Sequence, residues 1–164
     1  MRELEAMATD VATLLVERGD TVSVTESSAG GLVSASLLAV PGASRYFLGG
    51  GVVYTHQARV ALLDLSEGLP DGMRASTEAY AQLCASTMQA KLSSTWGLAE
   101  TGASGPTGNR YGDDAGHSCI AVVGPVPASA TIETRSADRE ANMWAFTRAA
   151  IELLAHCLRE ASGR

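Results

Sequence analysis

The segment Thr25–Gly31, with the sequence TESSAGG, places two serines and two glycines directly after a run of β-branched residues. It leads straight into the apolar segment Leu32–Val40. A turn of this kind between a strand and a helix holds hydroxyl groups and backbone N–H donors where anionic groups and developing oxyanions are stabilised. Ser27 is therefore a candidate nucleophile and Ser28 a candidate binding residue. The alternative for Ser27 is a helix cap, and we favour the functional interpretation.

Serine becomes an effective nucleophile when a neighbouring group accepts its proton, and Lys, Tyr or His can do so. The segment Tyr54–Arg59 (YTHQAR) offers Tyr54 and His56. Histidine titrates near neutrality, but we favour the interpretation of His56 as a surface residue on a short helix. A guanidinium keeps its proton, so Arg59 is suited to stabilising an alkoxide or binding phosphate rather than to general-base catalysis.

Two further segments carry candidate binding residues. Ser44 follows Pro41–Gly42 and is equally compatible with a place in the site and with a turn hydroxyl. The segment Thr101–Pro106 (TGASGP) has glycines that would let backbone N–H groups approach a phosphate or a carboxamide closely. It opens the glycine-rich segment Gly102–Gly116, whose length without secondary structure is typical of functional loops. The candidates from TGASGP are Thr101, Gly102, Ala103 and Gly105.

Three blocks of the sequence, in this order, resemble the CinA C-terminal domain family. They are TESSAGG, PGASRYFLGGGVVY at residues 41–54, and TGASGP. The family patterns read approximately ESCTGG, PGSSxxFxGGVVxY and TGIAGP, and the resemblance covers nearly the whole chain. Studied members are nicotinamide mononucleotide deamidases of pyridine nucleotide metabolism. The resemblance implies an amidohydrolase that needs no cofactor and converts a carboxamide into a carboxylate and ammonia.

The resemblance also implies roles for particular residues. Ser27 would attack the carboxamide carbon, Tyr54 would relay the proton, and Arg59 would stabilise charge. Backbone donors of the turn, including Gly30 and Gly31, would bind the oxyanion. The TGASGP segment would hold the ribose phosphate together with Arg139, which matches a basic residue of a family GDR motif. The other interpretation of Arg139 is a surface salt bridge with Asp138 or Glu140.

Three departures from the family pattern favour a second hypothesis. The family has a lysine at the position of Arg59, in a YSNEAK segment, and another in a KPVGT segment where this chain has Asp113 and Asp114. Met143 occupies the position of a further basic residue. Together these replacements remove positive charge from the site, which matters for a phosphate-bearing substrate. The alternative is a CinA-like domain without deamidase activity that binds a different small ligand.

Helical and strand patterns alternate along most of the chain. The predicted helices are Arg2–Arg18, Gly30–Ala39, His56–Leu63, a segment from Ser76–Glu78 to Leu92, and Asp138–Arg159. The predicted strands are Thr21–Thr25, Leu48–Tyr54, Thr95–Thr101, His117–Gly124 and Ala130–Arg135, the last two forming a hairpin. This order predicts an α/β fold, a three-layer α/β/α sandwich with a mixed sheet, as a single domain over residues 1–164. Active sites in such sheets lie at the carboxyl ends of strands, where the three blocks would converge.

Composition restricts the function classes. The chain has 164 residues, a net charge of −6 and three widely spaced cysteines. An acidic chain is a poor nucleic-acid binder, because binding requires clustered Lys and Arg. His56, His117 and His156 lack metal-ligand spacing, so no metal site is expected. No signal peptide or membrane span is predicted. We therefore expect a cytoplasmic homo-oligomer that binds a small molecule, with reduced cysteines.

Overall fold

A computed structural model describes residues 4–66 and 68–163. Five strands form a single sheet in the order β2-β1-β3-β4-β5. Strand β1 pairs in parallel with β2 and β3, whereas β3–β4 and β4–β5 are antiparallel pairs. The mixed sheet predicted from the sequence is thereby confirmed. The strands are β1 (Val22–Glu26), β2 (Phe47–Val52), β3 (Trp96–Ala103), β4 (His117–Val123) and β5 (Ala128–Glu133).

Five α-helices lie within the described residues, close to the positions that the sequence predicts. Local signals set several of their ends. Gly19, at φ +68°, closes the first helix as expected, and the side chain of Thr77 caps the fourth by accepting a hydrogen bond from the N–H of Tyr80. The predicted start of the first helix at Arg2 lies outside the described residues. The helices are α1 (Glu5–Arg18), α2 (Leu32–Leu38), α3 (His56–Leu63), α4 (Glu78–Leu92) and α5 (Arg139–Ala161).

The sheet separates two apolar clusters, which confirms the predicted three layers. Leu98 and Ile120 belong to the cluster beneath α1, α2 and α5, whereas their strand neighbours Ala99 and Ala121 belong to the cluster beneath α3 and α4. Successive side chains of a strand point to opposite faces, so strands buried on both sides read as continuous apolar runs. The small alanines on the α4 side leave room for that helix to pack close to the sheet.

Strand β3 is longer than the sequence predicts. The prediction ended it at Thr101, but Gly102 and Ala103 continue the antiparallel pairing with Ser118 and His117. Gly102 allows this pairing, because a Cβ there would lie 2.2 Å from the carbonyl oxygen of His117. The glycine-rich loop therefore spans only residues 104–116.

No helix among the described residues is long and apolar enough to cross a bilayer. Nor does any group of three or more His, Cys, Asp or Glu side chains in this part of the chain have an arrangement that could hold a metal ion.

Candidate active site

A cavity of about 380 Å³ lies at the carboxyl ends of the three parallel strands. Ser27 follows β1, Tyr54 follows β2, and Thr101 and Gly102 lie near the end of β3. The structure thus brings these candidates together at the sheet edge where the sequence places them. The cavity is lined by Ser27, Val53, Tyr54, Thr55, His56, Arg59, Ala75, Ser76, Tyr80, Thr101, Gly102, Asn109, Arg110 and Tyr111.

Two buried glutamates hold the turn that carries Ser27. Glu100 of β3 accepts hydrogen bonds from the backbone N–H groups of Ser27 (3.2 Å) and Ala29 (2.8 Å). It also accepts from the hydroxyls of Ser28 and, at 2.8 Å, Ser118. Burial raises the pKa of the Glu100 carboxyl, although these four hydrogen bonds act in the opposite direction.

Glu26, the last residue of β1, holds the other half of the turn. Its carboxylate accepts from the backbone N–H groups of Gly31, Val33 and Ser34 at 2.8–2.9 Å, and from the Ser34 hydroxyl at 2.6 Å. The N–H groups at the start of a helix such as α2 have no partner within the helix, so a negatively charged acceptor is favourable there. Sequence reasoning did not select either glutamate. The available signal was a carboxylate in each of two strands that are expected to be buried, because burial allows such a group only where it is well hydrogen-bonded.

The hydrogen bonds of Glu100 distinguish the two serines. The side chain of Ser28 is only 3% exposed and donates to the Glu100 carboxylate, so it supports the turn and does not line the cavity. Within the described residues, the hydroxyl of Ser27 has no protein partner, and Ser27 lines the cavity. Of the two hydroxyls, that of Ser27 is the one available to a ligand.

Most backbone donors of the turn are already hydrogen-bonded within the protein. The N–H groups of Ser27 and Ala29 are taken by Glu100, and that of Gly31 by Glu26. The N–H of Gly30 donates to the Ser27 carbonyl at 3.2 Å. Among these donors, only the N–H of Ser28 has no partner within the described residues. The N–H groups of Gly30 and Gly31 are occupied in this conformation, and their role as oxyanion donors stays a prediction. Both glycines supply left-handed backbone, at φ +69° and +99°, and α2 consequently begins at Leu32.

Arg59 lies on α3 and borders the cavity beside Tyr80 and Cys84. Its Nε is buried without a hydrogen-bond partner among the described residues. Burial raises the pKa of the Tyr80 hydroxyl, while the neighbouring guanidinium lowers it. Burial also raises the pKa of the Cys84 thiol to about 11, so this cysteine is protonated and inert at neutral pH. The Arg59 charge is therefore not neutralised by either neighbour.

Arg139, the first residue of α5, joins two of the predicted site segments. It donates one hydrogen bond to the carbonyl oxygen of Gly105 (2.6 Å) and another to the hydroxyl of Tyr54 (3.3 Å). The Tyr54 side chain is 59% exposed at the cavity rim. Met143, one helical turn further, lies against Gly30, where its methyl group would be 2.8 Å from an added Cβ. The position at which the family has a basic residue thus packs against the serine-bearing turn.

The TGASGP segment is mainly structural. The Thr101 hydroxyl accepts from the N–H of Ser76 at 3.3 Å, and Gly102 and Ala103 pair with β4. Ala103 is buried and does not line the cavity. Gly105 precedes a cis peptide bond to Pro106 and offers its carbonyl to Arg139. Among the predicted residues of this segment, only Thr101 and Gly102 border the cavity.

Loop 104–116 contributes residues that the sequence did not single out. Asn109, Arg110 and Tyr111 line the cavity from the side of this loop. Asp113 points away from the cavity and forms a two-pronged ion pair with Arg74, at 2.6 and 2.9 Å. The hydrogen bonds from Arg74 hold the pKa of the Asp113 carboxyl below its ordinary value.

A larger cleft of about 820 Å³ lies on the other side of the same loop. Its lining includes Asp113, Asp114 and Glu133, but none of Ser27, Tyr54 or Arg59. The smaller cavity is therefore the one that contains the candidate nucleophile together with its predicted partners.

Ser44 lies apart from the other candidates. It is exposed in a short 3₁₀ helix, Ala43–Arg45, immediately before β2. Because β2 runs parallel to β1, the residues that precede it lie at the amino ends of the strands, opposite Ser27. The structure does not bring Ser44 to the cavity, in agreement with its interpretation as a turn hydroxyl.

The fold and the cavity together define a three-layer α/β domain with a serine at the carboxyl ends of its parallel strands. The family model "CinA C-terminal domain" matches residues 4–158, and the chain therefore belongs to this family. A CinA-like protein of Gloeobacter violaceus is 36% identical over 153 residues, which make up 92% of this chain and 36% of that protein. The CinA-like protein of a Synechocystis strain is 33% identical over 155 residues, 94% of this chain and 37% of that protein. The chain spans little more than a third of these relatives.

Solved structures agree with the fold. A CinA superfamily protein of Klebsiella pneumoniae superposes with a TM-score of 0.87 at 24% identity, covering 95% of this chain and 98% of that chain. One of Escherichia coli gives a TM-score of 0.85 at 23% identity, covering 93% of this chain and 90% of that chain. At these identities, the likeness concerns the fold alone.

Proposed function

We propose that this chain is an amidohydrolase that acts on nicotinamide mononucleotide or a related carboxamide and releases ammonia. The observation that carries the proposal is the unpaired hydroxyl of Ser27 in a cavity shared with Tyr54 and Arg59. The adjacent Ser28 hydroxyl, by contrast, donates a hydrogen bond to the Glu100 carboxylate. The substrate class rests on the family resemblance, and the choice of Ser27 rests on the geometry.

In the proposed reaction, the oxygen of Ser27 forms a bond to the carboxamide carbon while Tyr54 relays the proton, accepting that of Ser27 as it donates its own phenolic proton towards the carboxamide nitrogen. The carbon–nitrogen bond then breaks, and the proton passes to the leaving nitrogen, which departs as ammonia. Water hydrolyses the resulting ester, releasing the carboxylate and restoring Ser27. Arg139, 3.3 Å from the Tyr54 hydroxyl, stabilises negative charge on that oxygen as it gives up and regains its proton.

The N–H groups of Ser27, Ala29, Gly30 and Gly31 are already hydrogen-bonded, so the developing oxyanion needs a further donor beside the N–H of Ser28. Arg59 meets this requirement with a guanidinium that lines the cavity and brings positive charge to it. Its charge would stabilise the tetrahedral intermediate in place of the family lysine. In this scheme Arg59 acts as an electrostatic group and Tyr54 as the base.

A second candidate function is ligand binding without deamidation. It is favoured by Arg59 at the family's lysine position, since a guanidinium is a poor proton acceptor. The ligand would occupy the same cavity, but no covalent step would follow. This candidate keeps the fold and the cavity and differs only in turnover.

Ammonia release from nicotinamide mononucleotide separates the two candidates. Wild type should release ammonia, Ser27→Ala should abolish it, and Ser66→Ala, which removes an exposed hydroxyl in another loop, should leave it unchanged. No release by wild type would contradict the amidohydrolase. In that case, activity gained by Arg59→Lys would show that only the base is missing. Continued inactivity of this variant would point to a different ligand or mechanism.

A further inference from the structure

The cavity beside Ser27 is positively charged in an acidic protein. Among the described residues, its lining includes Arg59, Arg110 and His56 but no aspartate or glutamate, although the whole chain has a net charge of −6. A concave site lined by one sign of charge concentrates ligands of the opposite sign. The lining therefore favours a ligand with an anionic group.

Arg110 has a charge that no carboxylate among the described residues neutralises. Its guanidinium donates to the hydroxyl of Tyr111 at 3.0 Å and lies 5.1 Å from the centre of that ring. Both are contacts with an uncharged side chain, so the positive charge of Arg110 remains available to a ligand. The other arginine over the same ring, Arg74, is neutralised by its two hydrogen bonds to Asp113.

The loop segment that bears Arg110 is held by its own hydrogen bonds. The side-chain oxygen of Asn109 accepts from the N–H groups of Tyr111 (2.9 Å) and Asp113 (3.2 Å). The amide of Asn109 donates to the Asp113 carboxylate at 2.8 Å, and Arg74 fixes that carboxylate from outside the loop. A backbone ordered before binding loses less entropy when a ligand arrives. Arg110 is thus held at the cavity by a preformed turn.

We propose that Arg110 is a specificity-determining residue that binds the anionic, phosphate-type group of the ligand. This inference rests on the proposed function in taking the cavity beside Ser27 as the ligand site. It also accounts for Asp113, which stands where the family has a lysine. The acidic residue is paired with Arg74, and a cation three positions earlier in the same loop supplies the charge instead. Arg110 can form two parallel hydrogen bonds to phosphate oxygens.

Binding measurements on the Ser27→Ala protein test this inference without turnover. Calorimetric titrations would use three probes: nicotinamide mononucleotide, the riboside that lacks its phosphate, and inorganic phosphate. Arg110→Gln should weaken binding of both phosphate-bearing probes about tenfold or more and leave the riboside unchanged. Arg110→Lys should bind these probes more tightly than Arg110→Gln but less tightly than the parent protein, because it keeps the charge and loses the paired hydrogen bonds. Arg45→Gln, which removes an exposed arginine at the opposite edge of the sheet, is the matched control.

Two results would overturn the inference. One is unchanged binding of both phosphate-bearing probes to Arg110→Gln, or no binding of either probe before the substitution. The other is an equal loss for the riboside, which would show a general distortion of the cavity.

The failure of this inference and the failure of the proposed function give different results. If phosphate binding depends on Arg110 but wild type releases no ammonia, the inference stands and the amidohydrolase fails. If wild type releases ammonia but Arg110→Gln does not change phosphate binding, the amidohydrolase stands and the inference fails.

Discussion

The Glu100 carboxylate lies directly behind Ser27 and accepts a hydrogen bond from its backbone N–H at 3.2 Å. The two residues are 73 positions apart in the sequence: Ser27 directly follows β1, and Glu100 lies on the neighbouring strand β3. The hydroxyl of Ser27 borders the cavity while its backbone is anchored from the core side. A buried glutamate that does not line the cavity thereby fixes the position of the candidate nucleophile.

Replacing Glu100 by glutamine should disturb the turn while preserving the shape of the side chain. Each oxygen of the Glu100 carboxylate accepts two hydrogen bonds. In glutamine, an NH₂ donor would replace one of these oxygens and would face two groups that are themselves donors. We expect a loss of about 1–3 kcal/mol in the free energy of unfolding, the cost of leaving a buried donor unsatisfied. Urea unfolding measures this loss, and Glu140→Gln, on the exposed first turn of α5, is the control. Equal stability of the Glu100 variant and wild type would contradict a structural role for the carboxylate.

Two glycines near the site should respond differently to alanine. At Gly102 the added Cβ would meet backbone atoms of His117 and Ser118 at 2.2 and 2.7 Å. Backbone in a paired strand cannot move aside, so Gly102→Ala should cost about 3 kcal/mol or more. At Gly30 the nearest atom is the flexible methyl group of Met143. There the main cost is the left-handed backbone, about 1–2 kcal/mol.

Thermal or urea unfolding of the two glycine variants measures these costs. A smaller loss for Gly102→Ala than for Gly30→Ala would show that the β3–β4 pairing is not as close as described.

Tyr54 and Arg139 should act as one unit if the proposed mechanism holds. Each side chain is exposed, so Tyr54→Phe and Arg139→Gln should change stability by less than about 0.5 kcal/mol. Both variants should lower kcat/KM for ammonia release. The double variant should have a kcat/KM only slightly below that of the poorer single variant, because either substitution alone already removes the contact between the two side chains. Fully additive losses in a double-mutant cycle would mean that the 3.3 Å contact has no part in the reaction.

His117 should make stability depend on pH. Burial of its ring lowers the pKa, but hydrogen bonds to Glu133 (2.5 Å) and to the Ser76 carbonyl (3.0 Å), with Asp113 3.9 Å away, raise it above the ordinary value. A group whose pKa is raised by folding stabilises the protein below the unfolded pKa, about 6.5 for histidine. This stabilisation disappears as the pH rises through the pKa of the folded state.

The variant His117→Gln should therefore be destabilised relative to wild type most strongly near pH 5.5, and least above the folded pKa of His117. Urea midpoints measured between pH 5.5 and 9 test this, with the exposed His156→Gln as the control. If the difference in stability between wild type and His117→Gln instead grows as the pH rises, the His117 ring is not stabilised in its charged form.

Local patterns in the sequence were sufficient for the elements and for the general place of the site. Helix α3 has the predicted bounds, His56–Leu63, because a capping threonine and an apolar period both act within a few residues. The alternation of helices and strands predicted three layers, because each apolar face must be covered. The rule for parallel sheets then predicted that the segments after β1 and β2 meet. These signals depend only on neighbours along the chain.

The tertiary structure alone decided what each residue near the site does. Ser27 and Ser28 are adjacent and chemically alike, and only the position of Glu100 leaves one hydroxyl available and binds the other. The sequence could not show that the N–H groups of Ser27, Ala29 and Gly31 are occupied, because the two carboxylates that accept from them lie in strands. The charge of the cavity likewise depends on Arg110 facing it and Asp113 facing Arg74. Such pairings join residues far apart in sequence, and their burial gives them their effect, so no local pattern contains them.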